Sequence, residues 1–193
     1  MIDTQLIFPT KVYRSHFNEA QELQKSVVPT FLEQEKKDPS PVKYSANGYT
    51  SYGVNSDVLN MPQLGGLKSF LDTVIDKCHE ESKLNGKPKL ESSWFSINRK
   101  FTYHEEHHHM PSVWSGVYYV QAEEQGNITF EEDQWQKTGM YIPPNKNYYT
   151  KWSEINFASI QYPSETGGLI IFPSNLLHYT QENTTNEPRI SIS

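Results

Sequence analysis

The chain has 193 residues, a formal net charge of −6, 21% charged residues and 13% aromatics. That length suffices to bury a core in one domain, and the composition is neither disordered nor fibrous. There is no long basic run to track phosphates, so nucleic acid is not an expected partner.

The start, MIDTQLIFPT, lacks a cationic stretch followed by an apolar core, and no apolar run approaches the ~20 residues of a membrane span. A soluble, cytoplasmic protein with no membrane partner is expected. Leu6 to Arg14 predicts a short strand interrupted by Pro9. Residues 15–37 place Phe17, Ala20, Val27, Phe31 and Leu32 at helical spacing, and Pro29 is expected to break or bend that helix. KKDPSP reads as a loop and YSANGYTSYG as a turn-rich aromatic stretch.

After Pro62 the pattern is clearer. Leu67, Phe70, Leu71, Val74, Ile75 and Cys78 fall on one helical face, and Asn85–Pro88 (NGKP) supplies the stop. Cys78 is the chain's one cysteine, which excludes an internal disulfide and a Cys-based zinc site. Its apolar neighbours predict a buried small side chain.

From Ser92 onward, aromatic and β-branched residues come in short runs. They include Trp94, Tyr118, Tyr119, Phe130, Tyr148, Tyr149, Trp152, Phe157, Ile160, Tyr162 and Ile170 to Phe172, punctuated by QGN, PPNKN, PSETGG and NTTNEP. The prediction is α+β, mainly β: one domain, with 1–91 a helical supporting part and 92–193 an antiparallel sandwich or barrel. Residues 123–150 are polar and long enough for a substrate loop. Within them the run Glu131, Glu132, Asp133 reads as a solvated turn, with a basic partner as the alternative.

FTYHEEHHHMPSVWSGVYYV (101–120) holds four of the seven histidines within six positions. On an extended backbone His107 and His109 point one way, and His104, Glu106 and His108 the other. Two such imidazoles can grip one ion, with a third ligand from elsewhere. His79 falls on the predicted helix and His16 near the start of another, whereas His178 follows the apolar run GGLIIFPSNLLHYTQ. Arg189 comes eleven residues after His178 and could meet a carboxylate with its guanidinium fork. A solvated histidine loop and a surface ion pair are the competing readings.

SGVYYV shortly after a His-x-His, then LIIFPSNLLH, then RIS, give the chain its resemblance. It resembles the 2-oxoglutarate- and iron(II)-dependent oxygenases, in a small bacterial and phage subfamily related to the prolyl hydroxylases. The resemblance also takes in LIFPTKVYR and YSANGYTSYG. It implies a double-stranded β-helix (jelly roll) with flanking N-terminal helices, and iron(II), 2-oxoglutarate and O2 as cofactor and cosubstrates. A hydroxylase acting on a C–H bond of a peptide, protein or small molecule, with decarboxylation of 2-oxoglutarate to succinate, is the activity implied. By position His107 and His178 match the metal histidines, Arg189 the anchor of the far carboxylate and Ser191 its helper. Ser115 and Tyr119, four apart on one strand face, are candidate lining of the same pocket. Trp94, Trp114 and Tyr118 are candidates for pocket or core.

One position departs from the family pattern. Where the superfamily carries an Asp or Glu, this chain has His109. Three arrangements follow: a His107, His109, His178 site; His104 and Glu106 with His178 in a shifted register; or an exogenous halide or water beside two histidines. The SGVYYV alignment fixes the register and favours the first. A cupin-like metal protein without oxygenase turnover and a nonenzymatic jelly-roll interaction module are the rival functions.

Overall fold

Two amphipathic helices form the first layer. The structure, a computed structural model, describes residues 3, 9–38, 48–131 and 159–193. Helix α1 (Ala20–Lys37) buries Ala20, Leu23, Val27 and Phe31, a stripe at i, i+3, i+7 and i+11. It runs through Pro29 without the expected break. Pro29 removes one main-chain donor, but Val27 and Phe31 on either side are fully buried, and packing of that stripe outweighs the lost bond. Helix α2 (Gly65–Glu81) buries Leu67 and Cys78 and packs Phe70, Leu71, Val74 and Ile75 against the same core. It ends before Asn85–Pro88.

The strands are β1 (Tyr13–His16), β2 (Gly48–Thr50), β3 (Phe95–Asn98), β4 (His104–His107), β5 (Trp114–Gln121), β6 (Ile128–Glu131), β7 (Ser159–Tyr162), β8 (Gly168–Pro173), β9 (His178–Thr180) and β10 (Arg189–Ile192). They form a six-stranded sheet, β1-β8-β5-β10-β3-β2, and a four-stranded sheet, β4-β9-β6-β7. Neighbouring strands pair antiparallel. β1 starts at Tyr13, later than the predicted Leu6; residues 6–8 of that prediction lie outside the described residues. His16, expected near a helix start, closes β1. β1 and β2 come from the first part of the chain and extend the large sheet at its two edges. Tyr148, Tyr149, Trp152 and Phe157, and residues 132–150 of the expected substrate loop with Glu132 and Asp133, lie outside the described residues. No helix among the described residues is long and apolar enough to cross a membrane.

Strand alternation separates two cores. On β5, Tyr118 and Val120 face the helices, and on β10 Ile190 and Ile192 do the same. Tyr119 of β5 and Ile170 and Phe172 of β8 face the other way and meet Ile128 and Phe130 of the small sheet. The helices thus back the large sheet, and its opposite face looks into the space between the sheets.

Phe31 of α1 stacks on Phe95 of β3 with ring centroids 4.0 Å apart and planes 2° from parallel. Phe31→Ala is expected to destabilise the fold by about 3–5 kcal/mol. The check is a urea denaturation curve whose midpoint falls while its slope is unchanged.

Candidate metal centre

β4 and β9 pair so that His107 lies opposite His178 and His104 opposite Thr180. His104 and His107 are three residues apart while Thr180 and His178 are two apart, so β4 carries one extra residue, a β-bulge. Residues opposite each other in a ladder share a face of the sheet. Across β9, Phe130 pairs with His178 and Ile128 with Thr180, and both belong to the intersheet core. His104, His107, His178 and Thr180 therefore all face the interior. Uninterrupted extension predicted His104 on the side opposite His107; the bulge shifts the alternation by one residue and removes that opposition. Glu105, Glu106 and His108 are exposed, and the His104, Glu106 register is not formed.

His109 lies just past β4. Its backbone N–H donates to the Ser174 carbonyl at 2.8 Å, which ties it to the turn after β8. Its ring centroid is 4.8 Å from that of His107 and 5.2 Å from that of His178, and His107 and His178 are 4.4 Å apart. One ring nitrogen from each histidine lies within 4.8 Å of the others, so the three could hold a metal ion. Phe172 and Phe130 pack on the His178 ring at 4.7 and 5.9 Å. Trp94 stands 5.9 Å from His109, with Tyr52 edge-on to it at 4.9 Å. Trp114 and Tyr118 pack in the helix-side core instead.

The local backbone sets the imidazole tautomers. His107 Nδ1 lies 2.6 Å from the Glu105 carbonyl oxygen, and His178 Nδ1 lies 2.8 Å from that of Leu176. A carbonyl only accepts, so in each ring Nδ1 carries the proton and Nε2 keeps its lone pair for a ligand role. Burial, with smaller contributions from neighbouring imidazoles, pushes His109 and His178 down to about 4, against the Leu176 hydrogen bond in the case of His178. Both rings are neutral at pH 7, the form that binds a metal.

The second half of the site lies on the large sheet. Arg189 is buried, and its Nη2 donates to Asn98 Oδ1 at 2.9 Å and its Nη1 to the Gly126 carbonyl. Its Nε has no partner, and among the described residues no carboxylate pairs with it. Burial lowers its pKa. The Tyr119 hydroxyl is also buried without a partner. Burial pushes it up to about 12, and the charge of Arg189 works against that rise, so the two groups sense each other. Ser191 is buried and pairs with Tyr119 on β5 and Ser96 on β3. Ser115 shares the interior face but hydrogen-bonds Ser174 Oγ at 2.7 Å, beside the turn that anchors His109. Four residues of extended chain span ~13 Å, so Ser115 and Tyr119 lie at well-separated points of that face.

Sequence reasoning missed Asn98 and Gly126. Nothing in SINRK distinguishes Asn98; only its position opposite Arg189 gives it a role. Gly126 was legible only as a turn residue. It has φ +60°, and a Cβ there would stand 3.1 Å from Arg189 Nη1, so any larger residue would press on the guanidinium.

The lowered histidines give the metal-free protein a pH dependence. Unfolded, His109 and His178 protonate near 6.5; folded, they stay neutral to about 4. The unfolded chain therefore binds more protons between those values, and stability, full above pH 6.5, falls as pH drops towards 4. Urea midpoints of metal-stripped protein at neutral and mildly acidic pH are expected to show this loss, and His178→Asn to reduce it.

Residues 92–193 match the family described as "Putative 2OG-Fe(II) oxygenase". No curated protein matches the sequence. Among solved structures, a Pseudomonas putida prolyl-4-hydroxylase is similar at 12% identity and a TM-score of 0.60, covering 94% of this chain and 89% of that one. A Trichoplax adhaerens prolyl hydroxylase, in complex with a hypoxia inducible factor oxygen degradation domain peptide fragment, is similar at 11% identity and 0.58, covering 94% and 80%. HygX from Streptomyces hygroscopicus, with nickel and 2-oxoglutarate bound, is similar at 10% identity and 0.56, covering 95% and 80%. These structures share the fold, a jelly roll with flanking helices. The match over 92–193 carries the family assignment: the chain belongs to the 2OG-Fe(II) oxygenases, enzymes that work with iron(II) and 2-oxoglutarate.

Proposed function

We propose that the chain is a hydroxylase whose iron(II) is held by His107, His109 and His178 and whose 2-oxoglutarate is anchored by Arg189. The whole chain acts as one catalytic unit in this reading, with α1, α2, β1 and β2 as support. The observation that carries it is a buried guanidinium with no carboxylate partner among the described residues, on the sheet facing three convergent imidazoles. Burying a cation is costly unless an anion compensates it. A dicarboxylate with one end on Arg189 and its keto-acid end towards the histidines would supply that anion. Arg189 Nε and the Tyr119 hydroxyl are the open polar groups that would receive it, and Ser191 lies beside them.

The donor set suits a first-row divalent ion: three neutral imidazoles, two with Nε2 turned free by their carbonyl partners. When bound, iron(II) with 2-oxoglutarate and O2 supplies the oxidative decarboxylation to succinate and the oxidation of a substrate C–H bond. The chain's own part is to orient and to exclude water. Phe130 and Phe172 dry the His178 side, and Trp94 covers His109. Beside Trp94 and His109, Tyr52, Met110 and Val113 expose apolar surface that can receive a substrate. We read that substrate as a peptide or protein residue, the class bound to the Trichoplax neighbour, with a small molecule as the alternative.

His109 in place of a carboxylate favours one second reading, a metal-binding protein without turnover. Anaerobic protein loaded with iron(II) and titrated with 2-oxoglutarate separates the two. The hydroxylase reading expects a visible charge-transfer band and, on admission of O2 with substrate peptides, succinate from wild type but not from His178→Ala. Arg189→Gln is expected to weaken 2-oxoglutarate binding by about ten- to a hundredfold. Metal uptake without band or succinate would favour the second reading. No uptake by wild type or His107→Ala would leave only an interaction module.

A further inference from the structure

Of the three convergent imidazoles, His109 has the least support of its own. His107 and His178 sit opposite each other in the β4–β9 ladder, whereas His109 lies beyond the end of β4. Its neighbours His108, Met110, Pro111, Ser112 and Val113 are all exposed. Burial of those side chains therefore contributes little to holding the segment, and the place of His109 depends on polar contacts.

Those contacts converge on Ser174. It is fully buried, in the turn between β8 and β9 that the Leu176 N–H closes by donating to the Pro173 carbonyl at 2.9 Å. Each of its polar groups reaches the segment 109–115. Its carbonyl accepts from the His109 N–H at 2.8 Å, its N–H donates to the Val113 carbonyl at 3.1 Å, and its Oγ lies 2.7 Å from Ser115 Oγ. Between the two backbone bonds, the Ser112 N–H folds the segment by donating to the His109 carbonyl at 3.2 Å. Any residue could supply the backbone bonds, but the hydroxyl pair belongs to this sequence. It ties the turn to β5, where Ser115 pairs with Phe172 of β8. Without the Ser115 hydroxyl, Ser174 Oγ loses its buried partner, and a buried hydroxyl left unpaired is costly. A turn that shifts to re-pair it moves the carbonyl that holds His109.

We infer that Ser115 is a positioning residue for the metal: through the Ser174 hydroxyl it fixes the carbonyl that holds His109, and with it the place of the third imidazole. This rests on the reading that His109 is a metal ligand. His107 and His178 keep their places by the ladder, so losing the hydroxyl pair acts on one ligand of the three. Outer contacts that orient a ligand typically change metal affinity by about 10- to 100-fold.

The test measures metal binding, not turnover. Metal-free wild type, Ser115→Ala, Ser174→Ala, Ser115→Thr, His109→Ala and the double variant Ser115→Ala/His109→Ala are titrated with cobalt(II), whose visible absorption reports its ligand set. A urea curve of each metal-free protein measures folding separately. Ser115→Ala and Ser174→Ala are expected to raise the cobalt(II) Kd about tenfold and to move the spectrum towards that of His109→Ala. Ser115→Thr, which keeps the hydroxyl, is expected to stay close to wild type. In the His109→Ala background Ser115→Ala is expected to change the Kd no further, because no third imidazole is left to position. Ser174→Ala keeps the test open if Ser115→Ala does not fold. Wild-type Kd and spectrum in both serine variants, whatever their urea midpoints, with His109→Ala weakened, would overturn the inference and leave the underlying reading intact. So would a Ser115→Ala effect that is equally large without His109. A His109→Ala variant that binds cobalt(II) like wild type would overturn the underlying reading itself.

Discussion

The pairing of His107 with His178 across β4 and β9 is the constraint on which the site depends. Both imidazoles rise from opposed positions of one ladder, so their separation is set by strand spacing and not by long flexible side chains. A carbonyl two residues earlier fixes each ring's tautomer. Only His109 needs a separate device, and it has one in the backbone hydrogen bond to Ser174. Two candidate ligands on a sheet and one hooked to a turn form a rigid three-point arrangement, because a sheet resists the movements that a loop allows.

Arg189 poses the opposite problem. A guanidinium in an intersheet space loses its hydration, and only neutral groups replace it: an amide oxygen from Asn98 and a carbonyl from Gly126. These satisfy part of the fork and none of the charge. The helices contribute indirectly. By covering the far face of the large sheet, α1 and α2 let Ile190 and Ile192 anchor β10 in apolar packing while Arg189 and Ser191 point the other way. The strand is held by one face and works with the other.

Much of this was legible in the residues. The α2 stripe from Leu67 to Cys78 carries its period openly, and the aromatic and β-branched runs after Ser92 announce strands. What the residues hid was phase and partner. Alternation assigns faces only while a strand stays regular, and the single extra residue between His104 and His107 reverses the assignment of His104. No composition signal marks a bulge in HEEH, since the distortion belongs to the pair β4–β9 and is invisible in either strand alone. Pro29 misled in the same way: local propensity argued for a break, but the burial of Val27 and Phe31 decided the outcome. Asn98 became meaningful only when β3 was laid beside β10.

The replacement of a carboxylate by His109 changes the charge balance of the site as proposed. An iron(II) ion with two imidazoles and one carboxylate, together with Arg189 and a doubly charged 2-oxoglutarate, sums to neutrality. With three neutral imidazoles the same assembly keeps one positive charge in a space lined by Phe130, Phe172 and Trp94. In such a low-dielectric setting an uncompensated charge acts strongly on anything that binds. It would draw anionic ligands in and oppose a rise in the oxidation state of a metal held there, because that adds further charge to a centre already short of anions. With that ligand set the electrostatics would favour firm retention of the dicarboxylate and of the ferrous state, with oxidation harder than in a centre that carries its own carboxylate.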